Sequence, residues 1–497
     1  MSGDNMVDIK QALRENREWL KRLFSGNPEM QQIKREFDDC LEHQHGALQH
    51  PRIATGHQPV IYYPGLLFKD FFTGETATEL GGSVLNMVVD TDQAQLEIPV
   101  PTRKDGELNK ARVGLSNPQE KAYTAFRPSR QSIDHFLGET EQHLHALSVN
   151  PILESFQAYR QNLCQLLDQG HSLVDSIPLL RRRLNKKWGF SPADLTVSHL
   201  AGSYAYFHYL WYIIQRIDSY TRHYNQAVEQ GKRDNYQPVK FLQSKDGWYE
   251  LPFWLSEQGR RLPVMVYKDS TMMSFRSHQA GRDTTISLDG KDETSIISEM
   301  QEKLELYPKA TALTQIIRLF LSELFIHGRG AVEYEKINNA FLQKFFAMES
   351  RLHFYAVTGD IFLPLAGDLP PYQELKKAHR AKSKWLKQVS RNPEDHLENG
   401  LSERYKEKKK EAARMMSQEE SPDKRKSYHR QLEALNEEMK NLLAGKIEET
   451  RKELQRYENL LQKKEVYFER QYPYFLYPGH LLTRANLRQN IKVEQHN

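Results

Sequence analysis

Four short segments carry residue types that can bind and transform a small anion: Thr55-Gly56-His57-Gln58-Pro59, Lys69, Asp90-Thr91-Asp92 and His327-Gly328-Arg329-Gly330. His57 can donate a hydrogen bond to a phosphate or carboxylate, or shuttle a proton near neutral pH. Gly56 lets the backbone approach a ligand, and Lys69 adds positive charge. Asp90 and Asp92 close an apolar run, and strand alternation puts them on one face. There they can hold a divalent ion through oxygen or position an amine, or simply cap the following turn. Arg329 can take an anion in bidentate fashion. The glycines beside it suit a tight turn between two helices, which leaves His327 and Arg329 unexplained. Neither GxGxxG nor GxxxxGK[ST] occurs, so the common dinucleotide and phosphate-loop fingerprints lend no support.

The elements that must position these residues can be read from local pattern. A short strand begins at Arg52, and Pro64 suits the first turn of a helix over 64–80. Gly81-Gly82 ends that helix, and 83–89 reads as a buried strand. Strand, helix and strand make a βαβ unit with parallel strands and a right-handed crossover. In such a sheet ligands sit beyond the carboxyl ends of the strands, which singles out the loops 55–63 and 90–95. The first is longer than the roughly 2–6 residues usual for a βα connection. The helix that follows aims its unpaired N–H groups at the same space, so an anion is favoured there. A purely structural loop explains the same residues.

Elsewhere the pattern predicts a helix over 9–24 and a mixed, mostly helical region over 104–188. An aromatic-rich buried helix is expected over 197–228, carrying Tyr204, Tyr206, Phe207, Tyr209 and Trp211. Alternation over 248–275 predicts antiparallel hairpins. An apolar helix is expected over 311–326, a second helix over 332–346 and a strand over 353–363. Between 371 and 468 Lys, Glu, Arg and Gln dominate. Ile447, Leu454, Leu461 and Phe468 recur every seven residues, predicting a helical hairpin or coiled coil with breaks near Gly400 and Ser421-Pro422. The expected fold is α/β: a Rossmann-like parallel-sheet core over 1–370 with helical and antiparallel insertions at about 104–310, a coiled-coil arm over 371–468, and a segment 469–497 returning to the core.

Composition narrows the function classes. With 497 residues the chain has room for about three domains at ~150 residues each. Lys and Arg number 69 against 65 Asp and Glu, a net charge of +4 that does not mark a dedicated nucleic-acid binder. Lys406 and Lys408-Lys409-Lys410 interleave with Glu403, Glu407 and Glu411, as on a solvated helix face, so nucleic acid is not an expected partner. Cys40 and Cys164 cannot build a disulfide scaffold, and His43, His45 and His50 match no zinc spacing and read as surface residues. The first residues lack the apolar stretch of a signal peptide, and no long apolar run predicts a membrane span, so a cytoplasmic location is expected.

In order and spacing, three of these pieces resemble the BshC family, the cysteine-adding enzymes of bacillithiol biosynthesis, and bacterial proteins sharing that architecture. They are Thr55-Gly56-His57-Gln58-Pro59 with Pro64-Gly65-Leu66-Leu67-Phe68-Lys69, then Val89-Asp90-Thr91-Asp92-Gln93, then Leu324-Phe325-Ile326-His327-Gly328-Arg329-Gly330 with Tyr334. The chain departs from the family at Ala331, where an acidic residue is usual, and its acidic cluster is reduced to Asp90, Asp92 and Gln93. The resemblance implies a core shaped like nucleotidyltransferases, with a coiled coil that makes a homodimer. It implies a reaction joining an amine or thiol amino acid to a sugar-derived small-molecule acid and leaves a nucleotide cofactor open; no metal site is expected. His57, Asp90 and Asp92 would then be catalytic. Thr55, Gly56, Gln58, Lys69, His327, Gly328, Arg329 and Gly330 would line the substrate or anion pocket. A non-catalytic nucleotide- or metabolite-binding protein, its coiled coil recruiting a partner, is the competing expectation.

Overall fold

The computed structural model describes residues 3–117, 120–232, 237–277, 283–365 and 372–497. They fall into two units: Met1–Ile361 with Arg470–Asn497, and Phe362–Glu469. The first is built on a six-stranded sheet of β1 (Arg52–His57), β2 (Ser83–Val88), β3 (Ala193–Thr196), β4 (Leu324–Gly328), β5 (Phe354–Gly359) and β6 (Ile491–His496). Across the sheet the order is β3-β2-β1-β4-β5-β6, with every pair parallel except the last, β5 with β6. The chain therefore lays β2 and β3 to one side of β1 and β4, β5 and β6 to the other. The order reverses between β1 and β4, where a crevice opens past the carboxyl ends of strands in sheets of this kind.

The βαβ unit forms over β1, the helix Pro64–Glu79 and β2. Pro64 occupies the first helical turn and Gly81 takes φ +66° just past the helix end. Alternation along β1 and β2 assigns the two faces. Ala54, Leu85 and Met87 join Phe37 and Leu41 of the helix Pro28–His45 in one hydrophobic core. Thr55, Val84 and Asn86 lie on the other face, beneath the helix Pro64–Glu79. That helix is buried on nearly every side from Leu66 to Ala77, because it is wedged against β1, β2, β4 and β5.

Between β2 and β3 stand a hairpin, Leu96–Lys104 with Glu107–Leu115, and the helices Arg130–Leu147, Asn150–Asp168 and Leu173–Lys187. The hairpin was not expected in a region that reads as mostly helical. The aromatic-rich stretch is three helices rather than one, Val197–Ala201, Tyr204–Gln215 and Ile217–Gly231. Ser203 restarts the chain by accepting a hydrogen bond from the Tyr206 amide, an N-cap inside an otherwise apolar run. An antiparallel sheet follows, including Trp248–Glu257, Arg260–Lys268 and Met272–Arg276, as alternation predicts.

The expectation of a helix over 311–326 is corrected. Helix Ala310–Ile316 widens into a π turn over Ile317–Leu321 and stops, and Leu324 opens β4. Short apolar runs fit a buried strand or a helix equally well by periodicity, and here parallel pairing with β1 and β5 decides. His327-Gly328-Arg329-Gly330 therefore ends a central strand and does not join two helices.

The second unit contains the helices Tyr372–Arg391, Asn399–Gln418, Pro422–Leu442 and Ala444–Gln462. Asn399–Gln418 packs on Pro422–Leu442, and Tyr372–Arg391 on Ala444–Gln462. The chain breaks at 392–398 rather than at Gly400, which lies inside a helix. Of the seven-residue stripe, Leu454 is buried and Ile447, Leu461 and Phe468 are half-buried. No helix of the described residues is long and apolar enough to cross a membrane.

A Cβ added at Gly74 would lie 2.3 Å from the Phe190 ring, which is itself packed on Phe71 and Trp188. In an exposed helix Gly to Ala gains about 1 kcal/mol. At this position Gly74→Ala is expected to lose about 1–3 kcal/mol instead, as overpacking does, measured by urea unfolding; a stabilised variant would contradict the packing described.

Candidate functional site

At the tip of β1 the backbone runs so close to β2 that a Cβ at Gly56 would sit 2.7 Å from the Met87 Cβ and 2.8 Å from its carbonyl oxygen. Glycine is thus required by strand packing. The Gly56 carbonyl accepts a hydrogen bond from Lys69 Nζ at 2.5 Å. Lys69 is one turn into the helix Pro64–Glu79 and only 2 % exposed. Among the described residues no carboxylate oxygen lies within ion-pairing distance of its Nζ. Burial lowers its pKa to about 8; Asp70 opposes the shift and the Arg181 guanidinium adds to it.

Two histidines feel this cation. His57, the last residue of β1, holds Nδ1 3.4 Å from the Gln58 carbonyl oxygen and sets its ring edge-on to Tyr62 at 5.5 Å. Burial, with Lys69 and then Arg181, depresses it to about 3, so it is neutral at physiological pH. His327, on β4, is buried between Phe325 and Phe354. Its Nε2 has no hydrogen bond and faces a Glu335 oxygen at 3.7 Å. Burial, Arg318 and Lys69 hold it well below the ordinary histidine range. Glu335 is in turn bound by Arg318 at 2.6 Å. The ends of β1 and β4 thus carry two uncharged imidazoles, His57 next to the residue that binds Lys69 and His327 packed against Phe325, Phe354 and Glu335.

Behind Lys69 runs a chain of buried charges. Arg181, from the helix Leu173–Lys187, places Nε 3.2 Å from Asp70 and a terminal nitrogen 3.7 Å from Asp194 on β3, and lies over the Tyr62 ring at 4.6 Å. Asp194 also accepts from Arg182 Nε at 2.9 Å and from Asn86 at 2.7 Å. Burial raises the Asp70 pKa against the pull of Arg181. A small cleft with room for about one water opens here, with Thr55, Asp70, Asn86 and Asn185 among its walls. Both Asp70 carboxylate oxygens, Asn86 Oδ1 and Asn185 Oδ1 are buried without a hydrogen-bond donor. With Asp70 Oδ2 ion-paired to Arg181, three acceptors, Asp70 Oδ1, Asn86 Oδ1 and Asn185 Oδ1, are left to a donor such as water.

The remaining expected site residues are dispersed. Thr55 donates from Oγ1 to the Ile326 carbonyl at 3.0 Å, tying β1 to β4. The loops after β1 and β2 meet, since the Val89 amide donates to the His57 carbonyl at 3.0 Å and Gln58 Nε2 to Asp92 at 2.6 Å. Asp90 and Asp92 nevertheless do not share a free face, because β2 ends at Val88 and both lie in the turn beyond it. Asp90 accepts from the amide and hydroxyl of Ser198 and so caps the helix Val197–Ala201. Asp92 is held by Arg261 at 2.7 Å. Arg329 is exposed, 3.7 Å from Glu494 on β6. A Cβ at Gly328 or Gly330 would meet nothing within 4 Å, so packing does not dictate either glycine.

Asp70, Arg181 and Asp194 were not singled out in the sequence. A signal existed for the first: Lys69-Asp70 interrupts a helix that is otherwise apolar on nearly every face, and charges placed there must be paired or functional. A scan against models of known protein families finds no match, and a search among curated proteins finds none.

Lys69 titrates below its ordinary value of 10.5, so between pH 8 and 10.5 the unfolded chain holds the proton that the folded chain has released. Stability contributed by this group therefore rises with pH across that window. Relative to Lys69→Met, the intact chain should gain roughly 3 kcal/mol from pH 8 to 10.5, read from urea unfolding at each pH; parallel curves would show Lys69 to be unperturbed.

Proposed function

We propose that the protein is a carbon–nitrogen ligase of the BshC-like class, joining an amine or thiol amino acid to a sugar-derived small-molecule acid in the cytoplasm. In this reading the core is Rossmann-like, its strand order being the 3-2-1-4-5-6 of that class. The helical unit serves as a coiled-coil arm for self-association. The observation that carries the reading is the buried Lys69 ammonium, hydrogen-bonded to the Gly56 carbonyl next to neutral His57 at the reversal of strand order. While protonated, Lys69 holds a substrate carboxylate, and its low pKa lets it exchange a proton near neutrality. Neutral His57 accepts a hydrogen bond from the attacking amine and orients it, the amine's proton passing to solvent. Joining an amine to a carboxylate also expels an oxygen, so the reaction needs an activated acid or a nucleoside triphosphate as co-reactant.

A binding protein without catalysis is the second reading, and a specific observation favours it: Asp90 and Asp92, the carboxylates available for acid/base work after β2, are engaged in structural hydrogen bonds. Calorimetric titration with nucleotides, cysteine and amino-sugar acids, followed by mass spectrometry of the mixtures, separates the two. The ligase reading expects a condensation product, with turnover falling by roughly 10²-fold in His57→Ala, as loss of a positioning contact does. Binding by the intact chain with no product would establish the second reading, and full turnover in His57→Ala would remove that residue from the chemistry.

A further inference from the structure

Away from the sheet crevice, three helices of the first unit bring an imidazole and three carboxylates together: Pro28–His45, Tyr204–Gln215 and Glu293–Lys303. His208 is 7 % exposed. Its Nδ1 is fixed by a Glu36 oxygen at 2.8 Å. That leaves Nε2 without a hydrogen bond among the described residues, facing a Glu293 oxygen at 3.6 Å, which is beyond hydrogen-bond reach. Glu29 gives one oxygen to Arg216 at 2.8 Å, while its Oε1 is buried with no partner at all. One ligand atom from each of Glu29, His208 and Glu293 lies within 4.8 Å of the others.

Glu29 and Glu293 each stand in the first turn of a helix, where a negative charge is favoured by the helix dipole. That accounts for two acidic residues. It does not account for a buried imidazole aimed between them, nor for a carboxylate oxygen that has lost water and found no donor, an arrangement that costs about 1–3 kcal/mol or more. Three carboxylates against one guanidinium also give the cluster an excess of negative charge. A divalent cation resolves all three features at once. Ligands bound at about 2.0–2.2 Å to a tetrahedral ion stand somewhat over 3 Å apart, so the His208 to Glu293 separation needs only a small adjustment of the half-exposed Glu293.

We infer that this cluster binds a divalent first-row transition cation of the zinc class through His208 Nε2 and one oxygen each of Glu29 and Glu293. Glu36 is the positioning residue. By accepting from Nδ1 it fixes the tautomer that leaves Nε2 free to ligate, the carboxylate–histidine–metal arrangement found at such sites. The nitrogen ligand selects against magnesium and calcium, which prefer all-oxygen sites.

The test uses the full chain and Zn²⁺ alone. Protein equilibrated with Zn²⁺ and dialysed into metal-free buffer is assayed for bound zinc, and affinity is measured by competition with a chromogenic chelator. One zinc per chain is expected. Glu293→Gln, at a half-exposed position and compared with its own metal-free unfolding temperature, should weaken binding at least tenfold and abolish the rise in unfolding temperature that zinc gives the intact chain. Glu36→Gln should weaken it about 10–100-fold, as loss of an orienting partner does. Failure of the intact chain to retain zinc overturns the assignment. So does equal retention by Glu293→Gln and His208→Gln, which would place the ion on other histidines.

Discussion

A guanidinium buried between two carboxylates is the interaction on which the sheet crevice depends. Arg181 is pinned by Asp70 on one side and Asp194 on the other, with the Tyr62 ring beneath it. None of these charges can be left alone in the core, because removing one partner strands the others without water at a cost of several kcal/mol. The helix bearing Arg181, the helix bearing Asp70 and the strand bearing Asp194 are therefore held in one relative placement. That placement sets the depth of Lys69 below the surface and the course of the loop after β1.

The same pairing explains why Lys69 is chemically unusual. Its neighbour in sequence, Asp70, is the obvious counter-ion, but Arg181 occupies it. Lys69 turns to the Gly56 carbonyl instead, a neutral acceptor that satisfies one N–H without neutralising the charge. An ammonium held this way repels protons from every base around it, which is part of why His57 and His327 remain uncharged. Burial is the main cause of the lowered pKa of Lys69 and of both imidazoles, and the uncompensated ammonium adds to it at the histidines. All three shifts run downward, and perturbed groups gathered in one crevice are a mark of functional sites.

How far the sequence could be read follows from which forces act locally. Pro64 and Gly81 mark the first βαβ helix through backbone preferences that need no tertiary context, and the alternation in 248–275 reveals an antiparallel sheet for the same reason. β4 was read as helix because Leu324-Phe325-Ile326 is too short to show a period, and only pairing with β1 and β5 settles it. That misreading mattered for the site, since it hid the fact that His327 and His57 end adjacent parallel strands. For Asp90 and Asp92 local pattern leaves a shared face and a cap equally open, and the end of β2 at Val88 decides for the cap at Asp90. Arg181 and Asp194 were invisible for a different reason: their partners are remote in sequence, and Arg181-Arg182-Arg183 looks like a solvated helix face until the first of the three is found buried.

The pairing of β5 with β6 has a consequence for how the chain is made. Phe354, Tyr355, Ala356 and Val357 of β5 are buried, and their outer backbone groups are satisfied only by 491–496. On the ribosome, β5 emerges long before its edge partner, with the whole helical unit translated in between. During that interval an apolar strand offers an open edge, the feature that recruits foreign strands and seeds aggregation. Nascent chains of this protein would need shelter at that edge until the final strand closes it.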